Sequence, residues 1–241
     1  MTLLTKWPLE LVVVRHGQSE HNAILDLEQE SLEKELERMK ITRDADIHLT
    51  DLGWRQAEQT GLYLAKRKPF DICLSSPYTR TDETAQGIIS GLGYDLDIHF
   101  DDRLREKEFG IFHALTIEEM KENYPDWIAT RHREGKYYFR LPGGENYPDV
   151  GMRVHEILDK LVRDHAGQRV LVVTHAVVYN MFRQQYEHAR EKEVLSWDKV
   201  PNCGVQTYQL QRNRKHPRGI MKLVEWNAVG YAYEEAGQRN S

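Results

Sequence analysis

The chain has 241 residues, 40% of them hydrophobic and 29% charged, and carries a formal net charge of −5. That length bounds it to one large α/β domain or two small ones, and the composition is that of a soluble globular protein. The acidic balance excludes a polybasic nucleic-acid binder as a whole, while leaving room for a local basic pocket.

In chain order, the N-terminal stretch MTLLTKWPLELVVVRHG lacks a basic start and a small-residue cleavage site, and Pro8 interrupts it, so no secretory signal is expected. Residues 9–14 (LELVVV) form a continuous apolar run, the pattern of a strand buried on both faces. Residues 28–40 predict a helix with Leu32, Leu36 and Met39 on one stripe and a Glu30–Lys34 pair, either a solvated surface helix or a lid over a site. Thr50 is the expected cap of the next helix, which runs to about Arg67 with Trp54, Ala57, Gly61, Leu64 and Ala65 on its inner face. FDICLSS predicts a strand, with Cys73 as a small buried hydrophobe, and the helix TRTDETAQGIISGLG after it closes at Gly91 or Gly93. LDIHF is a short strand, and residues 104–146, with Pro125, Pro142, Gly143 and Gly144, look less regular.

The clearest helix signal spans Asp149–His165, with Val150, Val154, Ile157, Leu158, Leu161 and Val162 in register and Gly167 beyond its end. RVLVVTH is another buried strand and AVVYNMFRQQY another helix; VQTYQL and IMKLVEW are closing strands, the latter a candidate edge, and the tail EEAGQRNS is polar. This β-α-β-α alternation predicts an α/β fold with a mostly parallel central sheet flanked by helices on both faces. One domain over residues 1–241 is expected, with a helical insertion at about 26–47 and an elaborated segment at about 104–146. No apolar run approaches the roughly 20 residues of a bilayer span, so no membrane partner is expected. Cys73 and Cys203 lie outside any CxxC, which gives no metal or redox motif and suits the cytoplasm.

In such sheets, sites gather at the carboxyl ends of the strands. Arg15 and His16 follow the first strand, Arg80 lies near the helix start after DICL, His175 ends VVTH, and Glu106 follows LDIHF. Two arginines make an anion site, because the guanidinium fork fits phosphate bidentately. A neutral imidazole can attack phosphorus, and guanidinium neighbours disfavour its protonation. A second histidine can donate to the transferring oxygens, and a carboxylic acid can protonate the leaving oxygen and later deprotonate water. The arginines do the charge work, so neither a metal nor a cofactor is expected.

The segments RHGQSEHN, LTDLGWRQAEQT, SSPYTRTDETA, LREKEFG and VVTHAVV, spread over about residues 9–182, resemble in order and spacing the histidine phosphatase superfamily, the phosphoglycerate mutase-like group. The resemblance implies a phosphoglycerate mutase-like α/β fold and a phosphohistidine intermediate, with His16 as nucleophile. It implies Arg15, Asn22, Arg80 and His175 as the phosphate pocket and Glu106 as proton donor, with Glu108 as the competing carboxylate. GKYYFRLPGGENYPDVGMRV is similar to the FFYRFPxGESxxDVxxRV pattern of broad-range acid phosphatases, which favours hydrolysis.

The chain departs from the family pattern in three places. His175 is followed by Ala176 where the family often has glycine, and Phe112-His113-Ala114 stands where many phosphatases have Trp-Glu-Gly. EKEFGIFHALT stands where cofactor-dependent mutases show ERHYGxLxGLNK, which argues against a glycolytic mutase, although Lys107 keeps an anion contact open.

The leading expectation is therefore a metal-independent phosphatase acting on phosphomonoesters of small metabolites. A phosphoglycerate mutase-type phosphotransferase is the alternative, and a non-catalytic phosphate-binding module the second. A small-molecule phosphoester is the expected partner, with no nucleic acid, and a homodimer is open. Arg131, Arg133, Lys136 and Arg140 are either a solvated face or a rim that guides a second anionic group or a planar ring into the pocket.

Overall fold

The computed structural model describes residues 5–24 and 29–231, and side chains within 29–34 are outside that description. The elements run β1 (Glu10–Arg15), α1 (Glu20–Ile24), α2 (Gln29–Ile41), α3 (Asp51–Leu64), β2 (Ile72–Ser75), α4 (Thr79–Leu92) and β3 (Ile98–Phe100). They continue α5 (Ile117–Asn123), α6 (Pro125–Tyr138), α7 (Tyr147–Asp164), β4 (Arg169–Thr174), α8 (Ala176–Glu187), α9 (Glu191–Ser196), β5 (Val205–Gln211) and β6 (Ile220–Ala228). Short 3-10 turns cover Asp44–Asp46, Asp102–Leu104 and Gly110–Phe112. Leu32, the Glu30–Lys34 pair and the tail EEAGQRNS lie outside the described residues and side chains.

Six strands form one sheet in the order β3-β2-β4-β1-β5-β6. The first four are parallel; β5 pairs antiparallel with β1, and β6 with β5 at the edge. The alternation within VVV decides which residue faces which layer. Leu11 and Val13 pack with α7 and α8 through Val154, Ile157, Leu161 and Phe182. Val12 and Val14 pack on the opposite face with Ala57, Leu64, Ala85 and Ile88 of α3 and α4. Burial of each such aliphatic side chain contributes roughly 1.5–3 kcal/mol. A sheet covered on both faces can position a site only at its ends, because its middle is closed to solvent.

Three local expectations need correction. Trp54 and Ala65 are exposed, and the inner face of α3 is instead Gly53, Gln56, Ala57, Thr60, Gly61 and Leu64. The cause is close backbone packing on α4. A Cβ at Gly61 would stand 2.1 Å from Ile88 O, so the contact selects small residues rather than large apolar ones. The segment 104–146 is largely helical rather than irregular. Thr116 and Glu119 form a reciprocal capping box at the start of α5, and Pro125 opens α6 as an N-terminal residue instead of breaking it. Residues 191–196 form α9, which the pattern did not suggest. Between the two glycines offered for the end of α4, Gly93 is the left-handed cap.

Candidate active site

The parallel register sets Arg15 opposite Thr174 across β1 and β4, so the next residue of each strand, His16 and His175, emerges at the same rim. Their rings stand 5.2 Å apart, edge to face. His16 Nδ1 lies 2.7 Å from Gly17 O. A carbonyl only accepts, so Nδ1 carries the proton and the lone pair sits on Nε2. Burial, and then the charges of Arg15 and Arg80, hold the His16 pKa well below the usual imidazole value. The ring is therefore held neutral in a fixed tautomer, with a lone pair on Nε2. The turn behind it is tight: a Cβ at Gly17 would meet Gly53 O at 2.6 Å, and Gly17 N donates to Thr84 Oγ1 at 3.0 Å.

Arg15 is buried, and its Nη1 donates to Val200 O at 2.6 Å. Its Nη2 lies 3.4 Å from Asn22 Oδ1, and its Nε is buried without a partner. Asn22 Oδ1 also accepts from Asn202 Nδ2 at 2.9 Å and from Ser19 N at 3.3 Å. Three donors on one oxygen fix the orientation of the amide, which leaves the Asn22 Nδ2 donors for a phosphoryl oxygen.

Arg80, at the start of α4, is buried under the Asp44–Asp46 turn, where Asp44 meets its guanidinium at 3.1 Å, and it lies over the Tyr78 ring at 5.0 Å. His175 Nε2 is 2.9 Å from Ser76 Oγ, while its Nδ1 is buried without a partner. Tyr78 N donates to Ser76 Oγ at 3.3 Å, so the serine proton can turn to Nε2 and the His175 proton to Nδ1, ready to donate to an anion.

Glu106 sits in the loop after the Asp102–Leu104 turn, where Lys107 N donates to its Oε1 at 2.8 Å. Burial raises its pKa, against the lowering by that amide, Arg80, Arg15 and the Val177 amide at the start of α8. Arg153 of α7 pins this loop: it donates to the carbonyls of Arg103, Arg105 and Glu106 and forms a double hydrogen bond with Glu145, at 2.8 and 2.9 Å. Glu108 is exposed, and its carboxylate accepts from Gly110 N at 3.2 Å. Lys107 is buried over the Phe109 ring, with its pKa lowered by desolvation to about 8. Arg140 is committed to Asp149 and Arg133 to Glu134, so neither is a free rim cation.

Two neutral buried histidines carry a stability consequence. Burial lowers the folded-state pKa of both His16 and His175, so the unfolded chain takes up each proton first. Stability is therefore expected to fall as pH drops below about 6.5, with each histidine adding a slope approaching 1.4 kcal/mol per pH unit. Glu106, whose pKa is raised, works in the opposite sense above its unfolded value. Urea unfolding of wild type and His175→Gln at three pH values between 7 and 5 isolates one slope by difference. Identical slopes would mean that His175 is not held neutral.

Thus His16, Arg15, Asn22, Arg80, His175 and Glu106 converge at one end of the sheet, linked through direct contacts and shared electrostatics. Sequence reasoning passed over the 200–203 segment. Val200 O and Asn202 hold Arg15 and Asn22, and Cys203 N donates to His16 O at 3.1 Å. Asp44, Tyr78, Ser76 and the Arg153–Glu145 pair were missed as well. Cys203 has a positive φ of 50°, and no sequence pattern announces it or these contacts. Among the described residues, no three His, Cys, Asp or Glu side chains are disposed to hold a metal ion. The arrangement suits in-line displacement at a tetrahedral anion: a neutral imidazole with a free lone pair, two guanidiniums, amide and imidazole donors, and a half-buried carboxyl group.

Comparison with known proteins points the same way. The family model described as histidine phosphatase superfamily (branch 1) matches residues 11–221. "Probable phosphoglycerate mutase GpmB" of Salmonella choleraesuis is 32% identical over 236 residues, 95% of this chain and 93% of that protein. "Bifunctional protein Rv2228c" of Mycobacterium tuberculosis is 31% identical over 178 residues, which are 72% of this chain but only 43% of that longer protein. Among solved structures, a mycobacterial glucosyl-3-phosphoglycerate phosphatase, Rv2419c, in complex with inorganic phosphate shares the fold with a TM-score of 0.68 at 23% identity, covering 92% of this chain and 98% of that one.

Proposed function

The chain belongs to branch 1 of the histidine phosphatase superfamily, and from that premise we propose that it hydrolyses phosphomonoesters of small metabolites through a phosphohistidine on His16. One observation carries this reading: the Nδ1–H of a buried, neutral His16 is tied to Gly17 O, which frees Nε2 beside two guanidiniums. In the first step Nε2 bonds to phosphorus, the ester P–O bond breaks, and the Glu106 carboxyl gives its proton to the leaving alkoxide. In the second, Glu106 takes a proton from water, the water oxygen bonds to phosphorus, and the P–N bond breaks to release phosphate and restore His16. Arg15, Arg80, Asn22 and His175 hold the transferring oxygens throughout. The two guanidiniums supply the positive charge, which supports a metal-independent reaction. The buried cysteines and the lack of a membrane-crossing helix among the described residues are compatible with the cytoplasm as its place.

Likeness to GpmB over 95% of the chain favours a second reading, a mutase. In a mutase the phosphoryl group of phospho-His16 returns to a hydroxyl of a bound acid instead of water. The absence of the GLNK stretch after Gly110 weighs against it. Hydrolysis of p-nitrophenyl phosphate in EDTA, from acidic to neutral pH, is expected to proceed. Interconversion of 2- and 3-phosphoglycerate is expected to be slower than phosphate release. Faster interconversion would replace the phosphatase reading with the mutase one.

A further inference from the structure

A cavity of about 570 Å³ opens beside the phosphoryl pocket, within the range that holds a small metabolite. Two residues join it to the pocket. Tyr78 stands edge-on to His175 at 5.1 Å and under Arg80, and Asp44 holds Arg80. Arg105 and Glu108, which also line it, flank Glu106 in the chain, so the cavity lies on the side where a protonated leaving group departs.

The charges of its wall are uneven. Both lining arginines are engaged: Arg105 with Glu145 at 3.1 Å, and Arg43 with Asp46 at 3.6 Å. Asp102 and Glu108 are not neutralised. Among the described residues nothing donates to the Asp102 carboxylate, and the Glu108 carboxylate accepts only the Gly110 amide. His113 adds an imidazole whose Nε2 is buried without a partner. The Lys107 ammonium is not part of this wall.

Free carboxylates accept hydrogen bonds from hydroxyl groups and repel a second anion, and an aromatic ring offers an apolar face to a sugar ring. We propose that this cavity receives the alcohol part of the phosphoester and selects a polyhydroxylated one. A sugar or polyol monophosphate is taken in preference to an ester that carries a second phosphate or carboxylate. The inference rests on the phosphatase reading above.

Four substrates test it: p-nitrophenyl phosphate, glucose 6-phosphate, n-hexyl phosphate and 6-phosphogluconate. The last two remove the hydroxyls or add a carboxylate at nearly constant size. For the wild type, kcat/KM for glucose 6-phosphate is expected to exceed that for each of them by about tenfold or more. Asp102 is exposed. Asp102→Lys is expected to lower the preference for glucose 6-phosphate over 6-phosphogluconate by about tenfold, and Asp102→Asn by less. Equal or better turnover of 6-phosphogluconate or n-hexyl phosphate, or a preference that Asp102→Lys leaves unchanged, overturns the inference while the phosphatase reading stands. Failure to hydrolyse p-nitrophenyl phosphate as well overturns both.

Discussion

Replacing His16 with alanine is expected to abolish the phosphoenzyme and turnover together, with a loss on the order of 10⁴–10⁶ in kcat, as when other covalent nucleophiles are removed. The size of the effect follows from the geometry. His16 Nε2 is the atom left free by the Gly17 contact, and the other imidazole at the rim, His175, has its Nε2 committed to Ser76. His175 therefore has no matching lone pair to offer in place of the lost one. Phosphate binding should survive, because Arg15 is held by Val200 and Asn22, and Arg80 by Asp44, none of which depends on the His16 ring. Rapid quench into alkali, which preserves phosphohistidine, measures the first quantity, and competition by inorganic phosphate measures the second. A His16→Ala protein that still accumulates phosphoenzyme would assign the nucleophile elsewhere. One that neither turns over nor binds phosphate would show only that the pocket had collapsed.

Much of this site is legible in the sequence, because strand ends in a parallel sheet are simple objects. VVVRH and VVTH each state a doubly buried strand and the residue that leaves it, and parallel pairing then forces His16 and His175 to one rim. Arg80 is equally visible, one position into a helix that follows a strand. What is not legible is whatever depends on contacts between distant segments. Asn202 acts on Asn22 and His16 across 180 and 186 positions, from a loop whose composition looks like an ordinary turn. Asp44 meets Arg80 only because the Asp44–Asp46 turn packs back against α4. The inner face of α3 escaped for another reason: it is chosen by backbone proximity, and hydrophobic periodicity cannot report a face built of Gly53, Gln56, Thr60 and Gly61. Arg140, a candidate rim cation by composition, was lost to Asp149, nine positions on, in the first turn of α7.

Glu106→Gln is expected to separate substrates by their leaving groups. Rates for alkyl phosphates should fall by about 10²–10⁴, the usual contribution of a positioned general acid, while p-nitrophenyl phosphate, whose phenolate leaves without a proton, should lose less than about tenfold. Glutamine keeps an oxygen to accept the Lys107 amide, and Arg153 anchors the loop through backbone carbonyls, so the substitution removes the proton without moving the loop. The pH profile supplies a second, independent reading. Burial raises the Glu106 pKa, and an acid must be protonated to act, so wild-type kcat/KM for alkyl phosphates should decline as pH rises through that value. The decline should vanish in the variant, because no titrating proton remains there. Equal losses for both substrate types, with the alkaline decline intact, would move the acid to another group. The nearest alternative in the chain, Glu108, is exposed and its carboxylate accepts the Gly110 amide. The same desolvation that disfavours the Glu106 charge makes it the better acid, and burial is thus part of the chemistry at this position.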